Sequence, residues 1–159
     1  MDKKTTDICD VHADKIEIAH SIEFKDYGGK KIFSGQIATI KCFETNPLVR
    51  KALEQDGRGK VLVVDGGASL RCALLGDNIG ELAIKNKWNG IIVNGCVRDS
   101  AALLQLDIGI KALGTNPLKS FKRNEGEDNI SVFFAGINFV PNGYVYCDED
   151  GIVTSKEKL

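Results

Sequence analysis

Two short segments of this 159-residue chain carry residue types that could do chemistry. The first is Leu75-Gly76-Asp77-Asn78, which precedes an apolar pattern typical of a helix. Glycine lets another group approach the backbone closely, and the first amides of a helix have no acceptor within that helix. A small carboxylate could therefore bind here, at the positive end of the helix dipole. Taken alone, the segment is better explained by an ordinary glycine–aspartate helix cap.

The second segment is Cys96-Val97-Arg98-Asp99, which follows the strand-like run IIVNG. The planar guanidinium of Arg98 can pair with a carboxylate through two hydrogen bonds. The carboxylate of Asp99 offers the hard oxygen ligands that suit Mg²⁺ or Mn²⁺, ions that keep most of their waters. A surface salt bridge, or a cap on a helix that begins at Ser100, would use the same two residues.

The spacing of the two segments predicts that they meet. Twenty residues, Asn78 to Val97, separate Asp77 from Arg98, and they comprise one predicted helix and one predicted strand. A helix that starts after one strand and the end of the next strand lie at the same edge of a parallel sheet, where ligands usually bind. We therefore expect one cleft that could bind a carbonyl acid and stabilise its developing enolate with a divalent cation.

The spacing of apolar residues alternates between strand-like and helix-like patterns in the middle of the chain. β-branched runs predict strands, and the continuous ones are typical of strands buried on both faces. Residues 15–22 carry β-branched side chains, and the predicted strands are 31–43, 60–65, 91–95 and 108–113. Helical spacing and caps predict helices that begin after Asn46, at about Asn78 and at Ser100, the last two ending at about 87 and 106.

The connecting segments are predicted from glycine, proline and charged residues. We expect a helical turn over Leu70–Leu74, a loop over Cys96–Asp99 and a charged surface loop over Lys119–Asn129. Hairpin-type turns are expected at Pro141-Asn142-Gly143 and at Asp150-Gly151. Parallel βαβ units followed by antiparallel strands predict a mixed α/β fold, in one domain over residues 1–159.

Composition excludes several function classes. The net charge of −1 gives no excess of cations to release counterions from a nucleic acid backbone. No apolar run approaches the length of a membrane-spanning helix, and the N-terminal residues lack the apolar core of a signal peptide, so a cytoplasmic location is expected. The five scattered cysteines fit small buried side chains in a reducing compartment better than a disulfide framework or a zinc site.

Several blocks resemble the RraA-like family, which includes regulators of ribonuclease activity and class II, metal-dependent 4-hydroxy-4-methyl-2-oxoglutarate aldolases. The motif Asp77-x20-Arg98-Asp99 is similar to the D-x20-R-D motif of those aldolases. The blocks that carry the wider resemblance are FSGQIATIKCFE, GRGKVLVVDGGASLRCALLGD, NKWNGIIVNGCVRD and LDIGIKALGTNPLK. Together they span nearly the whole chain.

The resemblance implies a fold, an assembly and a reaction. The fold is a compact α/β domain of the swivelling β/β/α kind, with a mixed sheet flanked by helices, in a ring-shaped homotrimer with the active site near a subunit interface. The reactions are retro-aldol cleavage of 4-hydroxy-4-methyl-2-oxoglutarate to two pyruvates and decarboxylation of oxaloacetate, through a metal-stabilised pyruvate enolate.

The resemblance also implies roles for individual residues. The amides of Gly76, Asp77, Asn78 and Ile79 would hold the pyruvyl carboxylate. Arg98 would contact the substrate and stabilise the enolate. Asp99 would ligate Mg²⁺ or Mn²⁺, and Asp77 would hold waters or relay a proton. Regulatory members can lack the acidic residue after the arginine, so the presence of Asp99 predicts an intact metal site.

A second function is also open. In the regulatory reading, the chain binds ribonuclease E or its associated helicases and inhibits without catalysis, and acidic segments at 125–128 and 148–150 are candidates for its docking surface. A methyltransferase is disfavoured, because GGASL after VLVVD lacks the GxGxxG spacing of a nucleotide-binding loop.

Overall fold

The computed structural model describes residues 3–159, and a mixed ten-stranded sheet forms its centre. The helices are α1 (Thr5–His12), α2 (Pro47–Leu53), α3 (Asp77–Lys85) and α4 (Ser100–Leu103). The strands are β1 (Ile16–Ile18), β2 (Lys25–Asp26), β3 (Phe33–Lys41), β4 (Lys60–Asp65), β5 (Ala73–Leu75), β6 (Gly90–Val97), β7 (Gly109–Thr115), β8 (Glu127–Asp128), β9 (Val132–Phe134), β10 (Ile137–Phe139), β11 (Tyr144–Asp148) and β12 (Gly151–Ser155). The main sheet runs β1-β12-β11-β3-β4-β6-β7-β2, with β5 paired to β6 and β8 to β3.

The parallel centre of the sheet follows from the β-branched runs. Strands β3, β4, β6 and β7 pair in parallel, with Val63 of β4 opposite Ile92 of β6. All eight residues of β6 are buried, as are five of the six in β4, which is typical of strands covered on both faces. Helices α2, α3 and α4 lie along the chain between parallel strands, so the predicted βαβ organisation is confirmed.

Two apolar cores lie on opposite faces of the main sheet. On one face, α2, α3 and α4 contribute the buried side chains of Leu53, Ala83 and Leu103. The other core includes a second sheet of two strands, β9 and β10, in which Phe134 and Phe139 stack with ring centroids 4.4 Å apart. The layers therefore follow the order β/β/α, and the predicted fold class is confirmed.

The turns differ from the prediction in one respect. The turn at Asp150-Gly151 is a hairpin, since β11 and β12 pair with Asp148 opposite Gly151. The predicted hairpin at 141–143 is wrong, because the flanking strands β10 and β11 lie in different sheets. The hairpin that forms instead joins β9 to β10 through Ala135 and Gly136, both with positive φ as in a two-residue hairpin turn. Ala-Gly is a weak signal for such a turn.

The segment before α3 also differs from the prediction. Residues 73–75 form strand β5, whereas the apolar spacing predicts a helical turn over Leu70–Leu74. A run of three apolar residues fits either structure, and pairing with β6 decides for a strand. Strand β6 itself continues through Val97, so the predicted loop begins two residues later, at Arg98.

The remaining predictions hold with small shifts. Helix α3 begins one residue before the predicted start, and α3 and α4 end at Lys85 and Leu103, earlier than predicted. Residues 119–129 are exposed apart from the buried Ser120. Cys42, Cys72, Cys96 and Cys147 are buried free thiols, which confirms their role in packing. Burial raises the pKa of Cys42 to about 12, with the charge of Asp65 adding to the shift. None of the helices in residues 3–159 has the length and apolar character needed to cross a bilayer.

Helix α1 is held against the β11–β12 hairpin by one buried carboxylate. Asp148 accepts hydrogen bonds at 2.7 Å from both the amide and the hydroxyl of Thr5, and at 3.0 Å from the amide of Asp150. Asp148 is 3% exposed, so it does not belong to the exposed acidic surface that the sequence suggests for 148–150. Glu125, Glu127 and Asp128 of the other segment are exposed.

Replacing Asp148 by asparagine is expected to destabilise the fold. Burial acts to raise the pKa of Asp148, but the hydrogen bonds from Thr5, Asp150 and Gly151 outweigh it and lower this pKa. A carboxylate with a lowered pKa stabilises the fold above its unfolded value near 3.9, and this contribution is lost as the pH falls through the folded value. The variant should unfold about 2 kcal/mol more easily at pH 7 in denaturant titrations and lose less stability on acidification. An unchanged free energy of unfolding at pH 7 would contradict this role.

Candidate functional site

Strand pairing brings the two predicted segments together at the carboxyl edge of the sheet. Leu75 of β5 lies opposite Val97 of β6, so the next residues, Gly76 and Arg98, are neighbours. The Arg98 amide donates a hydrogen bond to the Leu75 carbonyl at 2.9 Å and fixes this register. The predicted juxtaposition across twenty residues is therefore present.

Asp99 has a backbone conformation that turns its carboxylate toward the start of α3. Its φ of 55° and ψ of 41° are left-handed, and it occupies the cap position before α4. Asp and Asn accept this conformation better than other residues with a Cβ. The Asp99 Oδ2 atom lies 3.4 Å from the Asp77 amide and 3.8 Å from the Arg98 Nε atom. Both side chains, Arg98 at 40% and Asp99 at 42%, are open to solvent.

Gly76 fits between these side chains because it has no Cβ. A Cβ atom built there would lie 2.6 Å from Asp99 Oδ2 and 3.3 Å from Arg98 Cγ. The Gly76 φ of −133° is available to any residue, so space rather than backbone conformation requires glycine here. The Gly76 carbonyl accepts the amide of Gly80 and begins the helix.

The first amides of α3 differ in how free they are to bind a ligand. The Asn78 amide donates to the Asp77 Oδ1 atom at 2.8 Å, and the Asp77 amide faces Asp99. Gly76 and Asp77 are half-buried, Asn78 is exposed and Ile79 is buried. A substrate carboxylate at this helix end therefore has to replace the Asp77 side chain at the Asn78 amide, or bind beside it.

Lys122 and Asn46 lie beside the cleft, although the sequence motifs assign neither residue to it. The Lys122 Nζ atom donates to the Asn46 Oδ1 atom at 2.7 Å, and the Asn46 Nδ2 atom donates to the Leu74 carbonyl at 2.9 Å. Burial lowers the pKa of Lys122, and the charges of Lys119, Arg98 and Arg50 lower it further. Asn46 stands at the cap position of α2, as predicted, but its side chain does not cap that helix.

The donor set at Asp99 fits a hard divalent cation that keeps most of its waters. Nowhere in residues 3–159 do three His, Cys, Asp or Glu side chains come together to hold a metal ion. Mg²⁺ binds through one or two carboxylates, with waters and substrate oxygens completing its shell, and the solvent-open Asp99 carboxylate next to Asp77 matches that pattern.

The loops beside the cleft expose large apolar side chains. Phe43, Leu70, Leu118 and Phe121, here called the apolar patch, are each more than half exposed. Hydrogen bonds tie their loops together, from the Asn116 side chain to the Leu70 carbonyl and from the Phe121 amide to the Glu44 carbonyl. The guanidiniums of Arg71 and Arg123 lie over the rings of Phe43 and Phe121.

Glu44 connects two loops of the apolar patch. Its carboxylate accepts hydrogen bonds from the Arg71 guanidinium and from the Ser69 hydroxyl, the latter at 2.8 Å. These two hydrogen bonds lower the pKa of Glu44. The loop after β4 is therefore held against the end of β3, next to the cleft.

Comparison with known proteins gives the family to which the chain belongs. The family model described as RraA-like, "Aldolase/RraA", matches residues 5–154. The chain belongs to the RraA-like family.

Relatives with assigned names point to one activity. A protein of Aromatoleum aromaticum named "Putative 4-hydroxy-4-methyl-2-oxoglutarate aldolase" is 49% identical over 159 residues, which cover 100% of this chain and 99% of that protein. A protein of the same name from Alkalilimnicola ehrlichii is 50% identical over 159 residues, 100% of this chain and 98% of that protein.

Solved structures with the same fold have descriptions that differ from the names of these relatives. The RNA-processing inhibitor RraA from Thermus thermophilis superposes with a TM-score of 0.96 at 40% identity, covering 100% of this chain and 96% of that one. A protein of Geobacillus kaustophilus described as S-adenosylmethionine: 2-dimethylmenaquinone methyltransferase has a TM-score of 0.97 at 44% identity, with 99% and 97% covered.

Proposed function

We propose that this protein is a divalent-metal-dependent 4-hydroxy-4-methyl-2-oxoglutarate aldolase that also decarboxylates oxaloacetate. One observation carries the proposal: Arg98 and Asp99 lie against the start of α3, with Asp99 Oδ2 3.4 Å from the Asp77 amide. A helix N-terminus, a guanidinium and a solvent-exposed carboxylate in one open cleft match the needs of a 2-oxo acid substrate. The names of the relatives from Aromatoleum and Alkalilimnicola support the same activity.

Each residue of the cleft has a task in this reaction. The amides at the start of α3 hold the pyruvyl carboxylate. The Arg98 guanidinium donates hydrogen bonds to the 2-oxo oxygen, which gains negative charge as the bond between C3 and C4 breaks. The 4-hydroxyl proton leaves through Asp77 or a water beside it, and the electron pair of the broken bond passes into the enolate of pyruvate. Protonation of C3 then gives the first pyruvate, and the other half leaves as the second.

Oxaloacetate decarboxylation follows from the same groups. The bond between C3 and the C4 carboxyl group breaks, carbon dioxide leaves, and the electron pair again forms the pyruvate enolate. Asp99 is the residue that would hold Mg²⁺ or Mn²⁺, which supplies positive charge for the substrate oxygens when bound. Arg98 supplies hydrogen bonds to the same developing charge.

The experiment for this proposal is a coupled pyruvate-release assay on 4-hydroxy-4-methyl-2-oxoglutarate and on oxaloacetate. We expect release that EDTA abolishes and that added Mg²⁺ or Mn²⁺ restores. Equal rates with EDTA and with Mg²⁺ would contradict the metal dependence. Rates at the uncatalysed level under both conditions would contradict the activity itself.

A methyl group at position 76 is expected to weaken metal binding without unfolding the protein. In Gly76→Ala the new Cβ would occupy the space 2.6 Å from Asp99 Oδ2, so the Asp99 carboxylate has to move away from the start of α3. The Mg²⁺ concentration needed for half-maximal pyruvate release should rise roughly tenfold, while the melting temperature stays within a few degrees. Gly151→Ala is the control, since nothing lies within 4 Å of a Cβ built there. An unchanged Mg²⁺ requirement would refute the argument from space.

The homotrimer that the resemblance implies is also a proposal. The exposed apolar patch, next to the cleft, supports an assembly in which a neighbouring copy covers these side chains. Sedimentation at micromolar concentration should then give three times the chain mass of 17.3 kDa. A single-chain mass would exclude the trimer.

Regulation without catalysis is the second candidate function. The likeness to the RNA-processing inhibitor RraA at 40% identity supports it, as does the exposed acidic segment with Glu125, Glu127 and Asp128. In this reading the chain binds ribonuclease E or associated helicases, needs no metal, and keeps its inhibitory effect in Arg98→Ala. Inhibition of ribonuclease E by that variant, together with no pyruvate release by the wild-type protein, would favour the regulator.

A further inference from the structure

Lys122 is held in place from both sides by backbone contacts. The residues before it form single parallel bridges, Lys119 with Ala73 and Phe121 with Thr45. The carbonyls of Phe121 and Arg123 lie 2.9 and 2.7 Å from the Thr45 hydroxyl and share its one proton, and the hydroxyl oxygen accepts the amide of Arg123 at 2.9 Å. Because Thr45 is 1% exposed, this anchor is part of the protein interior.

The Lys122 side chain is aimed by one buried amide. Asn46 is 6% exposed, and its oxygen accepts the Lys122 ammonium while its nitrogen donates to the Leu74 carbonyl. An ammonium can only donate and a carbonyl can only accept, so these two partners allow a single orientation of the Asn46 amide. Leu74 lies in β5, two residues before Gly76, so the hydrogen bonds tie Lys122 to the strand that leads into the cleft.

The charge around Lys122 favours an anion. Within residues 3–159, no Asp or Glu oxygen lies within 4.0 Å of Lys122, whereas Arg98 has Asp99 at 3.8 Å. Lys122 instead donates to a neutral amide, and the charges of Arg98, Lys119 and Arg50 act on it. Lys122 is therefore a cation beside the cleft that no carboxylate of the described residues pairs with.

Resting on the proposed function, we infer that Lys122 binds a second carboxylate, at the far end of the substrate. In this arrangement the first carboxylate of a 2-oxo acid binds at the start of α3, and the 2-oxo oxygen of the same molecule accepts hydrogen bonds from Arg98. A carboxylate on C4 then extends toward Lys122, which Asn46 positions for it. Lys122 is thus a specificity-determining residue that selects dicarboxylic 2-oxo acids over those that end in a methyl group.

The test compares ligand pairs that differ only in the distal charge. 2-Oxoglutarate and 2-oxopentanoate both lack the 4-hydroxyl group and do not undergo retro-aldol cleavage, so calorimetry with Mg²⁺ measures binding alone. In Lys122→Gln we expect the dissociation constant of 2-oxoglutarate to rise roughly 10- to 100-fold, and that of 2-oxopentanoate to change less than about twofold. Lys122→Arg should restore most of the affinity, and Lys119→Gln, which removes a neighbouring exposed charge, should have little effect.

Cleavage rates separate this inference from the proposed function. The substrates are 4-hydroxy-4-methyl-2-oxoglutarate and 4-hydroxy-2-oxopentanoate, and the expected change in Lys122→Gln is a higher KM for the dicarboxylate alone. If the variant weakens both ligands of a pair equally, Lys122 supports the fold of the cleft and the inference is wrong. If the wild-type protein cleaves neither substrate while Lys122→Gln still loses affinity for 2-oxoglutarate only, the proposed function fails and the inference about Lys122 stands.

Discussion

Replacing Arg98 by alanine is expected to lower kcat for pyruvate release roughly 10²- to 10³-fold, with a smaller change in KM. Arg98 follows the fully buried strand β6, and its amide is bonded to Leu75, so the change leaves the backbone in place. The guanidinium is 40% exposed in the open cleft, which makes a large loss of stability unexpected. The effect falls on kcat because the hydrogen bonds strengthen as the 2-oxo oxygen becomes an enolate oxygen.

Two further variants define what Arg98 contributes. Arg98→Lys keeps the positive charge but loses the planar pair of donors, and we expect it to recover only part of the rate. Arg58→Ala is the matched control, because Arg58 forms an exposed ion pair with Asp56 at 3.0 Å, away from the cleft. Wild-type kcat in Arg98→Ala would show that the guanidinium does not stabilise the enolate.

Replacing Asp99 by asparagine is expected to remove metal activation. Asparagine tolerates the left-handed conformation seen at Asp99, with φ of 55°, so the turn into α4 is preserved. The amide lacks the negative charge that a hard cation requires. We therefore expect the Mg²⁺ concentration for half-maximal activity to rise by on the order of 100-fold. The rate at about 1 mM Mg²⁺ should fall by a similar factor.

Asp107→Asn is the control for Asp99→Asn. Asp107→Asn removes a carboxylate that is 84% exposed and 3.9 Å from Lys30, and it should leave the Mg²⁺ dependence unchanged. Direct binding of Mn²⁺, followed by electron paramagnetic resonance, checks the same loss without any substrate. Full Mn²⁺ affinity in Asp99→Asn would place the metal elsewhere.

The sequence predicts the meeting of Asp77 and Arg98 because both follow from local patterns. The helix α3, of about two and a half turns, and the buried strand β6 set the geometry between them. Parallel strands joined through a helix bring such ends to one edge of a sheet, whatever the rest of the fold does. The same logic predicts a mixed α/β fold, since the parallel centre and the antiparallel end have different periodicities. The β/β/α layering comes only from the resemblance to the RraA-like family.

Residues that depend on contacts distant in the sequence could not be predicted in this way. Strand β5 is three apolar residues long, and only its pairing with β6 makes it a strand. Lys122 lies in a charged loop, and its place at the cleft depends on Asn46, 76 residues earlier, and through it on Leu74. The sequence likewise places Asp148 in an exposed acidic turn. The structure buries it because Thr5, 143 residues earlier, donates hydrogen bonds to its carboxylate. Local patterns contain no trace of these pairings.

Formation of the pyruvate enolate is the central claim, and proton exchange at the pyruvate methyl group measures it most directly. An enolate that forms and is reprotonated in D₂O replaces the methyl protons with deuterium, which NMR follows without any assumption about the physiological substrate. We predict exchange by the wild-type protein with Mg²⁺, loss of exchange with EDTA, and little exchange in Arg98→Ala or Asp99→Asn. Exchange that is absent in the wild-type protein with Mg²⁺, or that persists unchanged in both variants, would contradict the proposed chemistry of this cleft.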